Sequence, residues 1–154
     1  MNGIDLEERF LSRLFQKIKL HPEEIPSLTQ IYNSEGDLIS ESFNLVETEN
    51  SPIEHSEILC IRKALQVKSE RYLYGSRLIT SFEPCLMCAG AILHSRIPEV
   101  LYFMQHSRDH GISSLNLENF TSYHRLPRMV FRERPEIQSL FKDFFSKKRA
   151  TPQQ

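Results

Sequence analysis

His55-Ser56-Glu57 and, further along the chain, Pro84-Cys85-Leu86-Met87-Cys88 offer one imidazole, two thiols and a carboxylate. That donor set describes a hydrolytic zinc site. Zinc takes Cys sulfur and His nitrogen readily, and a catalytic zinc keeps three protein ligands with a fourth position open for water. His55, Cys85 and Cys88 make that count. Two thiolates and a neutral imidazole cancel the charge of the metal, so bound water should be less acidified than among three imidazoles, where its pKa falls from about 16 to about 7. A nearby base is then needed, and Glu57, two residues from His55 and unligated, is the candidate. Such a carboxylate can take a proton from water and deliver it to a leaving group.

The spacing predicts how these groups are carried. A helix opening at about Pro84, a residue favoured in the first helical turn, would place Cys85 and Cys88 on one face. Both sulfurs would lie near the positive end of its dipole, which favours the thiolate form. His55 would start a second helix through Ile58, Leu59, Ile61 and Leu65 to about Val67, with Pro52 just before it. Two helix starts converging on one ion would build the site.

The surrounding elements follow from periodicity and punctuation. Apolar residues at 4, 6, 10, 11, 14, 15 and 18 keep a helical period, Asp5 and Glu8 have capping-box-like spacing, and His21-Pro22 ends that first helix. Strands are expected at Leu28 to Tyr32 and Leu38 to Leu45, joined as a hairpin by the turn-forming Asn33-Ser34-Glu35-Gly36-Asp37. Further strands are expected at Leu78 to Phe82, Val100 to Met104 and Met129 to Arg132. Helices are expected at Cys85 to His94 and Pro135 to Lys147, the last with Ile137, Leu140, Phe141, Phe144 and Phe145 on its apolar side. Alternating strands and helices argue for an α/β sandwich. The stretch from Gln105 to Pro127 has little periodicity, and loops of that length are usually functional or mobile; it is expected to border the pocket.

At 154 residues the chain fits one domain, 1–154, with an N-terminal helix over about 1–22 and a basic, mobile tail over about 146–154. No apolar run reaches the roughly 18 to 20 residues needed to span a bilayer, and the acidic, amphipathic start lacks the pattern of a secretion signal. A cytoplasmic location and no membrane partner are expected. Three Cys, two committed to one motif, suit a reducing compartment and metal binding better than a disulfide framework. Residues 1 to 60 carry 4 basic and 12 acidic side chains, and residues 125 to 149 carry 8 basic and 3 acidic. Arg125, Arg128, Arg132, Arg134, Lys142, Lys147, Lys148 and Arg149 are therefore either a phosphate-facing stripe or an ordinary solvated surface.

Other readings of the same residues stand beside these. Cys85 and Cys88 alone fit a redox pair, and Cys85, Cys88, His106 and His110 fit a closed structural zinc site, although that leaves His55-Ser56-Glu57 unexplained. Cys60 and His94, on apolar helices, are expected in the core, and His106 at the pocket edge or surface. Asn44 alone fits a turn-capping amide. Phe103 is expected to pack in the core, whereas Phe120 and Tyr123 are candidates for stacking on nucleobases.

The run Glu83-Pro84-Cys85-Leu86-Met87-Cys88-Ala89-Gly90-Ala91-Ile92-Leu93-His94-Ser95-Arg96-Ile97, with His55-Ser56-Glu57 upstream and Phe144-Phe145 before a basic end, resembles the zinc-dependent cytidine and nucleoside deaminases. The likeness is greatest to the bacterial tRNA-specific adenosine deaminases and looks continuous from about Asn44 to about Lys148. It implies a three-layer α/β/α fold of cytidine deaminase type, with a central five-stranded mixed sheet flanked by helices. It also implies zinc on His55, Cys85 and Cys88, Glu57 as proton shuttle, Asn44 as a side chain that hydrogen-bonds the base, and a homodimer. The implied reaction is hydrolysis of an exocyclic amine, turning adenosine into inosine at the wobble position of a tRNA anticodon stem-loop. Two places depart from the family's pattern: Ser27-Leu28-Thr29 stands where a Val-Gly-Ala run is usual, and Met104-Gln105-His106 where Ala-Arg-Asp is usual. Ser56 replaces a usual Ala. A small free nucleobase or nucleoside of guanine or cytosine type thus stands as the alternative substrate, and a non-catalytic zinc-stabilised nucleic-acid-binding module as the third function class.

Overall fold

A computed structural model describes residues 3–106, 111–116 and 126–151. In chain order the elements are α1 (Gly3–Leu20), β1 (Leu28–Tyr32), β2 (Leu38–Phe43), α2 (Ser56–Lys68), β3 (Arg77–Thr80), α3 (Leu86–Ser95), β4 (Glu99–Tyr102), a single 3-10 turn (Ile112–Ser114), β5 (Arg128–Phe131) and α4 (Pro135–Ala150). The strands form one sheet in the order β2-β1-β3-β4-β5. β1 runs antiparallel to β2 and β3, and β3, β4 and β5 are parallel. This is the expected five-stranded mixed sheet.

Side chains alternate across each strand, and the alternation sorts the core into two layers. Leu28, Ile79, Leu101 and Phe103 face α1 and α4, packing with Phe10, Leu14 and Ile137. Ile31, Leu78, Val100 and Tyr102 face α2 and α3, packing with Cys60, Ile61, Ala64 and Ile92. Phe10 and Phe103 are fully buried with ring centroids 5.1 Å apart. Helices on both faces complete the three layers. The β1–β2 connection closes where Asn33 accepts the backbone N–H of Asp37 on Oδ1 at 2.7 Å and Gly36 takes φ +88°, a conformation that a residue without Cβ adopts at no steric cost.

Three expectations are corrected. The helix after Pro84 begins at Leu86, with Cys85 as an extended N-cap (φ −71°, ψ 174°), because the Cys85 backbone bridges to Gly111 and Pro84 O accepts the Ile112 N–H at 2.8 Å. His94 is exposed on α3 whereas Cys60 is fully buried. Finally, α4 continues to Ala150, past its expected end at Lys147. Phe120, Tyr123, His110 and Arg125 lie outside the described residues.

Candidate metal centre and active-site pocket

Two helix N-termini meet at one end of the sheet. His55 is the N-cap of α2, Cys85 the N-cap of α3, and Cys88 lies in the first turn of α3. One ligand atom from each of His55, Cys85 and Cys88 lies within 4.8 Å of the others. His55 Nδ1 is 3.6 Å from Cys85 Sγ and 3.5 Å from Cys88 Sγ. A tetrahedral zinc with Zn–S of about 2.3 Å and Zn–N of about 2.05 Å sets sulfur and nitrogen about 3.5–3.6 Å apart. The two nitrogen–sulfur distances therefore match those around a tetrahedral zinc. Among the described residues His106 is not part of this group.

The Cys88 thiol and His55 ring beside Cys85 hold the Cys85 thiol down at about 3, whereas Cys88 is pushed up by its bond to Cys85 and by burial. The contact with Cys85 raises His55 against the lowering effect of its burial.

Glu57, buried in the first turn of α2, is held from the strand side. Its Oε1 accepts from Thr80 Oγ1 at 3.1 Å, and its Oε2 lies 3.3 Å from Ser56 Oγ. Burial raises its carboxyl above the usual range, opposed by its own backbone N–H and by the His55 ring. Burial thus favours the neutral form more than in water, which suits a group that both takes and returns a proton.

These residues open onto a cavity of about 220 Å³. Asn44 and Ser27 line one side; Met104, Gln105 and His106 another; Phe82, Phe141 and Phe145 form an aromatic wall. Asn44 is buried, its N–H donating to Ser27 O at 3.0 Å and its Oδ1 accepting from Val46 N–H at 3.0 Å. It is thus both a turn-capping amide and a pocket residue, with Nδ2 as its remaining donor. Phe141 meets Phe82 and Phe145 at ring centroids of 4.5 Å each. Sequence reading placed Phe141 and Phe145 on the apolar face of α4 but missed their place in the pocket, although their spacing of four aims both at one spot.

Two further residues escaped it. Glu83, 3 % exposed, accepts the backbone N–H groups of His106 at 3.1 Å and Ser113 at 2.8 Å, tying the segment after β4 to the cysteine loop. Thr80 holds Glu57, as above. The basic stripe divides: Arg128 pairs with Glu99, Arg132 with Glu7, and Arg134 with Glu7 and Glu8. Lys148 pairs with Glu47. Lys142, Lys147 and Arg149 on α4 make no ion pair with the described residues.

Residues 8–104 match the family model of the cytidine and deoxycytidylate deaminase zinc-binding region. The chain is 34% identical over 138 residues to the tRNA-specific adenosine deaminase of Rickettsia bellii (strain RML369-C), covering 85% of this chain and 92% of that one. It is 42% identical over 73 residues to the guanine deaminase of Bacillus subtilis (strain 168), covering 47% of each. A solved structure from studies of A-to-I editing by tRNA:A34 deaminases at the wobble position of transfer RNA superposes with a TM-score of 0.67 at 25% identity, covering 84% of this chain and 91% of that one.

Proposed function

Since the chain belongs to the cytidine and deoxycytidylate deaminase family, zinc-dependent hydrolases of nucleobase amines, we propose that it converts an adenosine to inosine at the wobble position of a tRNA, releasing ammonia. The observation that carries this reading is the sequence likeness that three tRNA-specific adenosine deaminases share with most of the chain, 31–34% identity over 82–88% of its residues. The helix that walls the cavity with Phe141 and Phe145 also carries Lys142, Lys147 and Arg149, a placement that suits a polyanionic substrate reaching the pocket.

His55, Cys85 and Cys88 would hold the zinc, which when bound would acidify a water at its open position. Glu57 takes the proton from water and returns it to the departing amine. Asn44 Nδ2 donates to the base, and the Phe82–Phe141–Phe145 wall excludes solvent and faces the ring. The target base must leave its stack to enter, because the proton shuttle lies at the cavity's inner end. A homodimer and a cytoplasmic location belong to the same reading: Leu86 and Met87 stand exposed beside Cys85 where a second copy would cover them, and the three cysteines are free thiols.

A free nucleobase as substrate is favoured by one feature, the Met104-Gln105-His106 edge of the cavity, which offers no carboxylate contact to a sugar. Incubation with a tRNA anticodon stem-loop and, separately, with free guanine and cytosine decides between them. Inosine in the stem-loop, formed at a rate that falls steeply with salt, is expected. Turnover of a free base without RNA turnover would overturn the assignment. Glu57→Ala should keep its zinc and release no ammonia.

A further inference from the structure

Two of the sequence departures, Ser27-Leu28-Thr29 and Ser56, converge behind the proton shuttle. β1 and β3 pair with Thr29 opposite Thr80, and alternation turns both hydroxyls toward the start of α2. Thr29 Oγ1 lies 2.9 Å from Thr80 Oγ1 and 2.8 Å from Ser56 Oγ, which lies 2.9 Å from Ser27 Oγ. Thr29, Ser56 and Thr80 are fully buried, and Ser27 is 4 % exposed at the cavity wall.

Counting hydrogens orients the chain. Each hydroxyl has one hydrogen and two lone pairs. Thr80 spends its hydrogen on Glu57 Oε1, so the Thr29–Thr80 contact uses that of Thr29. The Thr29–Ser56 contact then uses that of Ser56, and the Ser27–Ser56 contact that of Ser27. Four hydrogens fill four bonds, all directed toward the carboxylate. The remaining contact, Ser56 to Glu57 Oε2 at 3.3 Å, is the longest of the five between oxygens and has no hydrogen left to fill it.

Resting on Glu57 as the shuttle, we propose that Ser27, Ser56, Thr29 and Thr80 form a directed hydroxyl relay that fixes the Glu57 carboxylate in one orientation, acting as positioning residues for the reaction. The relay keeps the Ser56 hydrogen turned away from Glu57. When Thr29 loses its hydroxyl, that hydrogen is released to Oε2, and the carboxylate, now held from both sides, shifts toward Ser56.

The test is Thr29→Val, which keeps shape and removes the hydroxyl, with Thr29→Ser as the conservative rescue. Crystal structures of the zinc-loaded wild type and Thr29→Val should show Glu57 in one orientation in the former and turned toward Ser56, or split between two, in the latter. On the substrate that the wild type deaminates, Thr29→Val should lower kcat about 10- to 100-fold, the scale of a mispositioned catalytic group, with KM and zinc content unchanged. Ser27→Ala, at the far end, should cost less than Thr29→Val, and Thr29→Ser should retain wild-type kcat. An unmoved carboxylate in Thr29→Val, or Thr29→Ser as impaired as Thr29→Val, would overturn the relay. Wild type inactive on every base, with Glu57 turned in Thr29→Val, would sink the functional reading and leave the relay standing.

Discussion

Replacing Gly111 by Ala isolates one steric contact at the rim of the site. Gly111 has an ordinary φ of −93°, so backbone conformation does not require glycine here. By chain entropy alone the substitution should stabilise the fold by about 0.4–1 kcal/mol. The Glu83 carboxylate, however, lies against the Gly111 Cα: an added Cβ would come 2.6 Å from Oε2 and closer still to Cδ and Oε1. Carboxylate and backbone must separate by close to 1 Å to reach ordinary contact. That separation breaks or strains the bonds from His106 N–H and Ser113 N–H to Glu83, each worth about 1.5–3 kcal/mol to a charged acceptor. The net expectation is a destabilisation of at least about 2 kcal/mol, or roughly 4–8 °C in Tm for a chain of this size. Urea denaturation of wild type, Gly111→Ala, Glu83→Ala and the double variant measures it. In the Glu83→Ala background the obstructing atoms are gone, and the Gly111→Ala cost should vanish or reverse. A neutral or stabilising Gly111→Ala in the wild-type background would refute the argument.

Cys60 gives a pH signature. Burial pushes its thiol from the ordinary 9.0 up to about 12, so the folded chain keeps a proton that the unfolded chain loses. The contribution is complete below pH 9 and is lost as pH rises toward 12, by about 1.4 kcal/mol per unit; wild type should lose about 2 kcal/mol more than Cys60→Ala between pH 8 and 10.5, and parallel curves would refute this. Phe103→Ala, which empties a fully buried site against Phe10, should cost about 3–5 kcal/mol by urea titration, and a loss under about 1 kcal/mol would show that the sheet collapses around the cavity.

Much of this was legible because the signals are local. The 3.6 period of α1, the turn residues from Asn33 to Asp37 and the β-rich runs located each strand to within a few residues, and His55-Ser56-Glu57 with Cys85 and Cys88 named the metal group before any distance was known. What failed was set by partners far along the chain. Cys85 is held extended by Gly111, and Arg128, Arg132 and Arg134 are committed to Glu99, Glu7 and Glu8. α3 is apolar on nearly every side, so periodicity could not show that His94, Leu86 and Met87 face outward. Ser27, Thr29 and Ser56 were visible as departures from a pattern, but that they meet one another behind Glu57 depends on strand register.

Elemental analysis of purified protein reaches the central claim, that His55, Cys85 and Cys88 hold a hydrolytic zinc. One zinc per chain is expected in the wild type and in Glu57→Ala, and a substoichiometric amount in Cys88→Ser. Zinc absent from the wild type, or unchanged in Cys88→Ser, would contradict it.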